Sequence, residues 1–133
     1  MLNDSYLSAQ SFLYLDTLKV LESWGSGTHL FKVGGEHEVD ELIELLRTSR
    51  DAGAPVRALW CEFPSNPLLR SPPLARLREL ADEYDFLIAI DDTLGAFDNV
   101  DVLPFADIIL TSLSKVFSGT ANVLGGRYAV MRL

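Results

Sequence analysis

Two serines and a lysine crowd together in Ser112-Leu113-Ser114-Lys115, directly after the apolar run Ile108-Ile109-Leu110 and Thr111. A lysine amine at the end of a buried strand can capture a carbonyl covalently, and flanking hydroxyls can hold an anion beside it. A second apolar run, Phe86-Leu87-Ile88-Ala89-Ile90, ends on Asp91-Asp92-Thr93. A third, Ala58-Leu59-Trp60-Cys61, ends on Glu62-Phe63-Pro64-Ser65-Asn66-Pro67. Three strands therefore deliver polar groups to one edge.

The elements that must position these groups alternate in type. Asp16 is placed to cap a helix through Leu18, Leu21 and Trp24, with Gly25-Ser26-Gly27 as its stop. A short strand follows at His29 to Val33. Val39, Leu42, Ile43 and Leu46 recur at helical spacing until the stretch Thr48 to Pro55 breaks the pattern. Val56 to Glu62 reads as a strand, and Pro72-Pro73 opens a helix with the stripe Leu74, Leu77, Leu80, Ala81 and Tyr84. Strands at Phe86 to Ile90 and Ile108 to Thr111, and a last one at Tyr128 to Met131, complete the series. Near-continuous apolar strands alternating with amphipathic helices predict an α/β fold, a mostly parallel sheet sandwiched by helices. Ligands of such sheets sit beyond the carboxyl ends of the strands, where the three polar clusters gather.

Bulk properties narrow the function. The 133 residues, 48% of them hydrophobic, make one core, without repeat or linker. A net charge of −8 with scattered basic residues argues against a nucleic-acid surface. No apolar stretch is long enough for a membrane span, and Met1-Leu2-Asn3-Asp4 lacks the pattern of a signal peptide, so the expected compartment is the cytoplasm. Cys61 is the single cysteine and reads as core. Glu36, Glu38, Asp40, Glu41 and Glu44 read as a solvated helix start. His29 and His37 lack a third ligand at suitable spacing, and no metal is expected.

Among chemistries, a phosphate-binding glycine loop is absent. A receiver domain uses paired acids, a hydroxyl and a lysine, but takes the hydroxyl and lysine from different strands, whereas Ser112, Ser114 and Lys115 share one strand end. Pyridoxal phosphate fits better. It needs a lysine for its Schiff base, a carboxylate at the pyridine nitrogen and donors for its phosphate. Opposite charges 4 Å apart attract by about 4 kcal/mol at an effective dielectric near 20, enough for Asp91 to keep that nitrogen protonated.

The ordered set Glu62-Phe63-Pro64-Ser65-Asn66-Pro67, Ile90-Asp91-Asp92-Thr93 and Ser112-Leu113-Ser114-Lys115, followed by Ser118-Gly119 and Asn122-Val123-Leu124-Gly125-Gly126, resembles the Cys/Met-metabolism family of pyridoxal-phosphate enzymes. The likeness is strongest to its fungal-type cystathionine γ-synthase branch and runs from about Phe12 to the end. It implies fold type I. By position, the resemblance makes Lys115 the Schiff-base lysine, Asp91 the pyridinium partner, and Ser112 and Ser114 the phosphate-side hydroxyls. Asn66 matches the residue beside the 3′-oxygen, Thr93 a residue packed near the ring, and Tyr14 the tyrosine that stacks on it. Asp92, where many members have asparagine or glutamate, and Ser114, where threonine is commoner, depart from the pattern.

The implied reaction is γ-replacement, joining an activated homoserine ester to cysteine to yield cystathionine. Sister lyase and sulfhydrylase reactions use the same residues. The implied partners are small amino-acid substrates and, for full-length relatives, further copies of themselves as homo-oligomers. Such relatives are longer, with an amino-terminal arm, a glycine-rich phosphate loop and a small carboxyl-terminal domain. Residues 1–133 are accordingly expected to be part of the large domain, with apolar surfaces that favour marginal stability or association. A catalytically inactive remnant that pairs with a full-length relative is the competing expectation. Taken singly, Lys115 reads as a surface lysine, Asp91-Asp92 and Asn66-Pro67 as turns and Tyr14 as packing; the joint pattern argues for a site.

Overall fold

The computed structural model describes residues 7–10, 13–24, 27–31, 36–96 and 98–131. Among the described residues six strands form one sheet: β1 (Leu7–Gln10), β2 (Thr28–Phe31), β3 (Ala58–Glu62), β4 (Leu87–Asp91), β5 (Ile108–Ser112) and β6 (Gly126–Val130). Their order is β2-β1-β3-β4-β5-β6. The first five run parallel, and β6 returns antiparallel to β5. Three α-helices connect them, α1 (Leu15–Trp24), α2 (Glu36–Asp51) and α3 (Leu74–Tyr84), while a π-helical turn, Leu113–Phe117, follows β5.

The chain steps from β1 to β2 in one direction and from β2 over β1 to β3 and on to β4 in the other. Right-handed crossovers then put α1 on one face and α2 and α3 on the other. The reversal also makes the carboxyl edge between β1 and β3 the point where connections diverge to opposite faces, the usual location of a ligand crevice.

Burial follows the two-residue period of the strands. Leu59, Cys61, Ile88, Ile90 and Ile109 are buried in one cluster with Leu42 and Leu46 of α2 and Leu74, Leu77, Leu80 and Ala81 of α3. On the α1 face Trp60, Ile108 and Leu110 are half-buried, and Leu87, Val130 and Tyr128 are exposed. The α2–α3 side therefore holds most of the core.

Local chemistry explains the helix ends. α3 starts after Pro73 and closes at Asp85, whose left-handed backbone (φ 58°, ψ 56°) lets its N–H donate to the Ala81 carbonyl. α2 runs on past the expected break, through Thr48 to Asp51. The Thr48 hydroxyl donates to the Glu44 carbonyl at 2.8 Å, so it is satisfied within the helix, and Ser49 is buried. The stop is Gly53, at φ +72°. Glu38 is buried rather than solvated. Asp16 does not cap α1: the Tyr14 carbonyl accepts the first helical bond, from Leu18, and Asp16 pairs with Lys19 at 3.0 Å inside the first turn. The Gly25-Ser26 stop and residues 32–33 of the second expected strand lie outside the described residues.

One ion pair braces the amino edge of the sheet. Asp107 accepts from Arg78 at 2.8 Å and from the Ile88 N–H at 2.7 Å. Both side chains are enclosed, at 13% and 4% exposure for Arg78 and Asp107. Removing one member of such a pair leaves the other charge uncompensated. Asp107→Ala is expected to cost about 3 kcal/mol in urea unfolding, far more than Asp82→Ala on the exposed side of the same arginine.

Candidate active site

Strand register assembles the carboxyl edge. Glu62 is the Cα partner of Asp91, and Asp91 the partner of Leu110, two residues before Ser112. Paired residues share a face, so Glu62, Asp91 and Ser112 all belong to the α1 face, beside the end of β1. There they line a cavity of about 190 Å³ together with Tyr14, Asn66, Thr93 and Lys115. Six of the seven residues singled out in the sequence thus meet in one cavity. Ser114 is not among its lining: its hydroxyl accepts from the Gly125 N–H at 3.0 Å and faces the Gly125 carbonyl at 3.4 Å.

Hydrogen bonds tie the walls together. The Thr93 N–H donates to Asp91 Oδ1 at 3.0 Å, and the Thr93 hydroxyl accepts the Ser112 N–H at 2.8 Å, linking β4 to β5. Among the described residues Asp91 is bonded through Oδ1, and its second oxygen remains an acceptor. Lys115 departs from helical dihedrals within its turn (φ −88°, ψ −108°). Its Nζ lies 5.4 Å from the centre of the Tyr14 ring, which is 48% exposed. A cation over an aromatic face is attracted by the ring quadrupole.

Asp92 turns away from all this. One residue on from Asp91, it lies on the α2–α3 side, 1% exposed. It accepts a hydrogen bond from the Thr111 hydroxyl, which also accepts from Arg127 Nε at 3.3 Å. Asp91 and Asp92 therefore belong to different clefts and do not act as a pair.

Glu62, Pro64 and Leu94 complete the lining and had no role in the sequence reading. The signal for Glu62 was present, as an acid ending a strand beside Asp91. Glu62 is 6% exposed, and burial holds its carboxyl above the ordinary range; the N–H groups of Tyr14 and Asn66 oppose this, and the Asp91 carboxylate reinforces it. Gly95 packs the next loop closely: a Cβ there would meet the Phe63 carbonyl oxygen at 2.9 Å.

Comparison with known proteins places the chain in a family. The model of the family described as Cys/Met metabolism PLP-dependent enzyme matches residues 14–132. The chain belongs to that family. Among its members, a cystathionine γ-synthase-like enzyme of Amanita muscaria, iboG1, is 63% identical over 118 residues, covering 86% of this chain and 20% of the relative. The cystathionine γ-synthase of Neurospora crassa is 49% identical over 116 residues, covering 86% and 18%. The chain thus spans about a fifth of the length of these relatives. The crystal structure of a cystathionine γ-synthase from Xanthomonas oryzae, in complex with aminoacrylate and cysteine, superimposes at a TM-score of 0.70 with 20% identity, over 96% of this chain and 32% of that one. The fold is that of fold type I enzymes.

The family's cofactor, pyridoxal 5′-phosphate, matches the donor set of the cavity. Asp91 offers an acceptor-only oxygen for a ring N–H, Lys115 an amine, Tyr14 a ring face and Ser112 a hydroxyl. The nearby Cys61 belongs to the core. Burial, with Glu62 and Asp91 adding to it, pushes its thiol up to about 12 from an ordinary 9.0. The stability gained from keeping this thiol neutral is complete below 9.0 and is lost as pH rises toward about 12. At pH 8 the folded chain should resist thiol reagents, with full labelling on adding denaturant; fast labelling of native protein would contradict the buried assignment.

Proposed function

We propose that this chain forms part of the large domain of a pyridoxal-phosphate enzyme of cystathionine γ-synthase type, which replaces the γ-substituent of an activated homoserine ester with cysteine to give cystathionine. The observation that carries this reading is the convergence of Lys115, Asp91 and Tyr14, from three separate segments, on one cavity. When bound, the cofactor supplies an electron sink for charge developing at the substrate α-carbon.

The chain's own residues do the rest in this proposal. Asp91, held by the Thr93 N–H, would accept a hydrogen bond from the ring N–H and favour its charged form. Lys115 Nζ would hold the cofactor covalently and, when free, would be the amine placed to take a proton from the substrate. Its place over Tyr14 sets the reach of that amine. The Tyr14 ring would stack on the pyridine, Asn66 would lie beside the 3′-oxygen, and Ser112 would donate to the phosphate. Ser114 joins only if its hydroxyl turns from Gly125. The substrates are small amino acids, the working form is a homo-oligomer, and the compartment is the cytoplasm. Sister lyase and sulfhydrylase reactions share these groups.

A second reading has one observation in its favour. Among the described residues no arginine lines the cavity, and Lys115 is its single cation against Glu62 and Asp91. A 133-residue chain acting alone would then be a catalytically inactive remnant that associates with a full-length relative.

Titrating the purified chain with pyridoxal phosphate, reducing with borohydride and mapping the peptides separates the readings. The expected result is visible absorbance fixed at Lys115, abolished in Lys115→Ala and weakened in Asp91→Asn. A folded chain that stays colourless overturns cofactor binding by the chain alone and leaves the second reading.

A further inference from the structure

Glu62 bonds to two segments that the proposed chemistry uses. Its Oε1 accepts the Tyr14 N–H at 2.6 Å, across 48 residues, and its Oε2 accepts the Asn66 N–H at 3.2 Å. Tyr14 opens α1 after β1, and Asn66 lies in the loop after β3, so one carboxylate bridges the crevice where the sheet's connections diverge. We propose that Glu62 is a positioning residue, an ionised clasp that holds the Tyr14 and Asn66 segments at the cavity wall and loosens its hold on one of them on protonation.

The chemistry of the carboxyl group sets the direction of the effect. Ionised, it has only acceptor sites, and both N–H groups are satisfied. Protonated, one oxygen carries a hydrogen and, now neutral, becomes a much poorer acceptor, so its bond to the N–H is weakened. Among the described residues, the charged and titratable groups around it are Asp91 at the end of β4, Lys115 in the turn after β5, the Tyr14 phenol and Cys61 beside it on β3. Burial and the Asp91 charge favour the neutral form, while the two N–H donors favour the ionised one. Because the balance raises the carboxyl above its ordinary range, the folded chain takes up this proton before the unfolded chain does. This group's contribution to stability accordingly grows as pH falls through its folded value. Protonation thus loosens the clasp at one of its two ends.

The clasp itself stands on the geometry; its effect on cofactor binding rests on the reading given under Proposed function. Amide NMR spectra of the purified chain over a pH series test the first part. The Tyr14 and Asn66 amide resonances are expected to titrate together, with one midpoint above the ordinary carboxylate range, while Leu59 and Ile88 stay fixed. In Glu62→Gln neither amide should titrate. Separate midpoints, or a shared titration that survives in Glu62→Gln, overturn the proposal. Should that variant not fold, Glu62→Asp, one methylene shorter, is expected to keep the titration at one amide only, and its retention at both overturns the clasp. Absorbance titration with pyridoxal phosphate tests the second part. Glu62→Gln should bind about tenfold more weakly at neutral pH, the effect of losing one hydrogen bond to a charged group. Equal affinities overturn the positioning role. Wild-type chain that binds no pyridoxal phosphate overturns cofactor binding by the chain alone instead, and the amide titration still decides the clasp.

Discussion

The parallel backbone ladder joining β3, β4 and β5 is the constraint on which the site depends. It sets Glu62 opposite Asp91 and brings Ser112 to the same edge, before any side chain interacts. Because strand side chains alternate, this register also decides which groups face the cavity and which enter the core. A slip of one residue would exchange Asp91 for Asp92 in the cavity. Burial of Leu59, Ile88, Ile90 and Ile109 against α2 and α3 opposes such a slip, since it would turn the same apolar set out of the core.

The two faces consequently differ in purpose. Most of the apolar burial lies on the α2–α3 side, where Asp92 and Thr111 are also enclosed. The α1 face is less covered and carries Glu62, Asp91 and the cavity they share with Lys115. Enclosing Glu62 beside Asp91 disfavours its charged form, as the raised carboxyl shows. Such perturbed groups collect in clefts that do chemistry, and here the perturbation has a named geometric origin in the crevice between β1 and β3.

Much of this was legible in the residues. Strands β3, β4 and β5 stand out as apolar runs ending on polar clusters, and α3 as a periodic stripe after two prolines. β1 was not legible. Leu7-Ser8-Ala9-Gln10 has no β-branched or aromatic residue, yet it pairs on both sides, with β2 and β3, because the sheet around it supplies the ladder. The end of α2 was misplaced for a similar reason: Thr48 and Ser49 weaken a helix on propensity, but an internal hydrogen bond and burial outweigh that. Tyr14 entered the sequence reading by resemblance alone. The structure places it against Lys115, a proximity that spans 101 residues of chain and has no local signature.

The sequence by itself determined the α/β class, the strand ends that carry acid, hydroxyl and amine, and the family to which their order corresponds. These follow from local apolar runs and short motifs, which neighbouring residues are sufficient to specify. Only the tertiary structure decided that Asp91 faces the cavity and Asp92 the core, that Ser114 is engaged with Gly125, and that Glu62 bridges Tyr14 and Asn66. Each depends on register and on where separate loops come to rest, and those are properties of the assembled sheet rather than of any one segment.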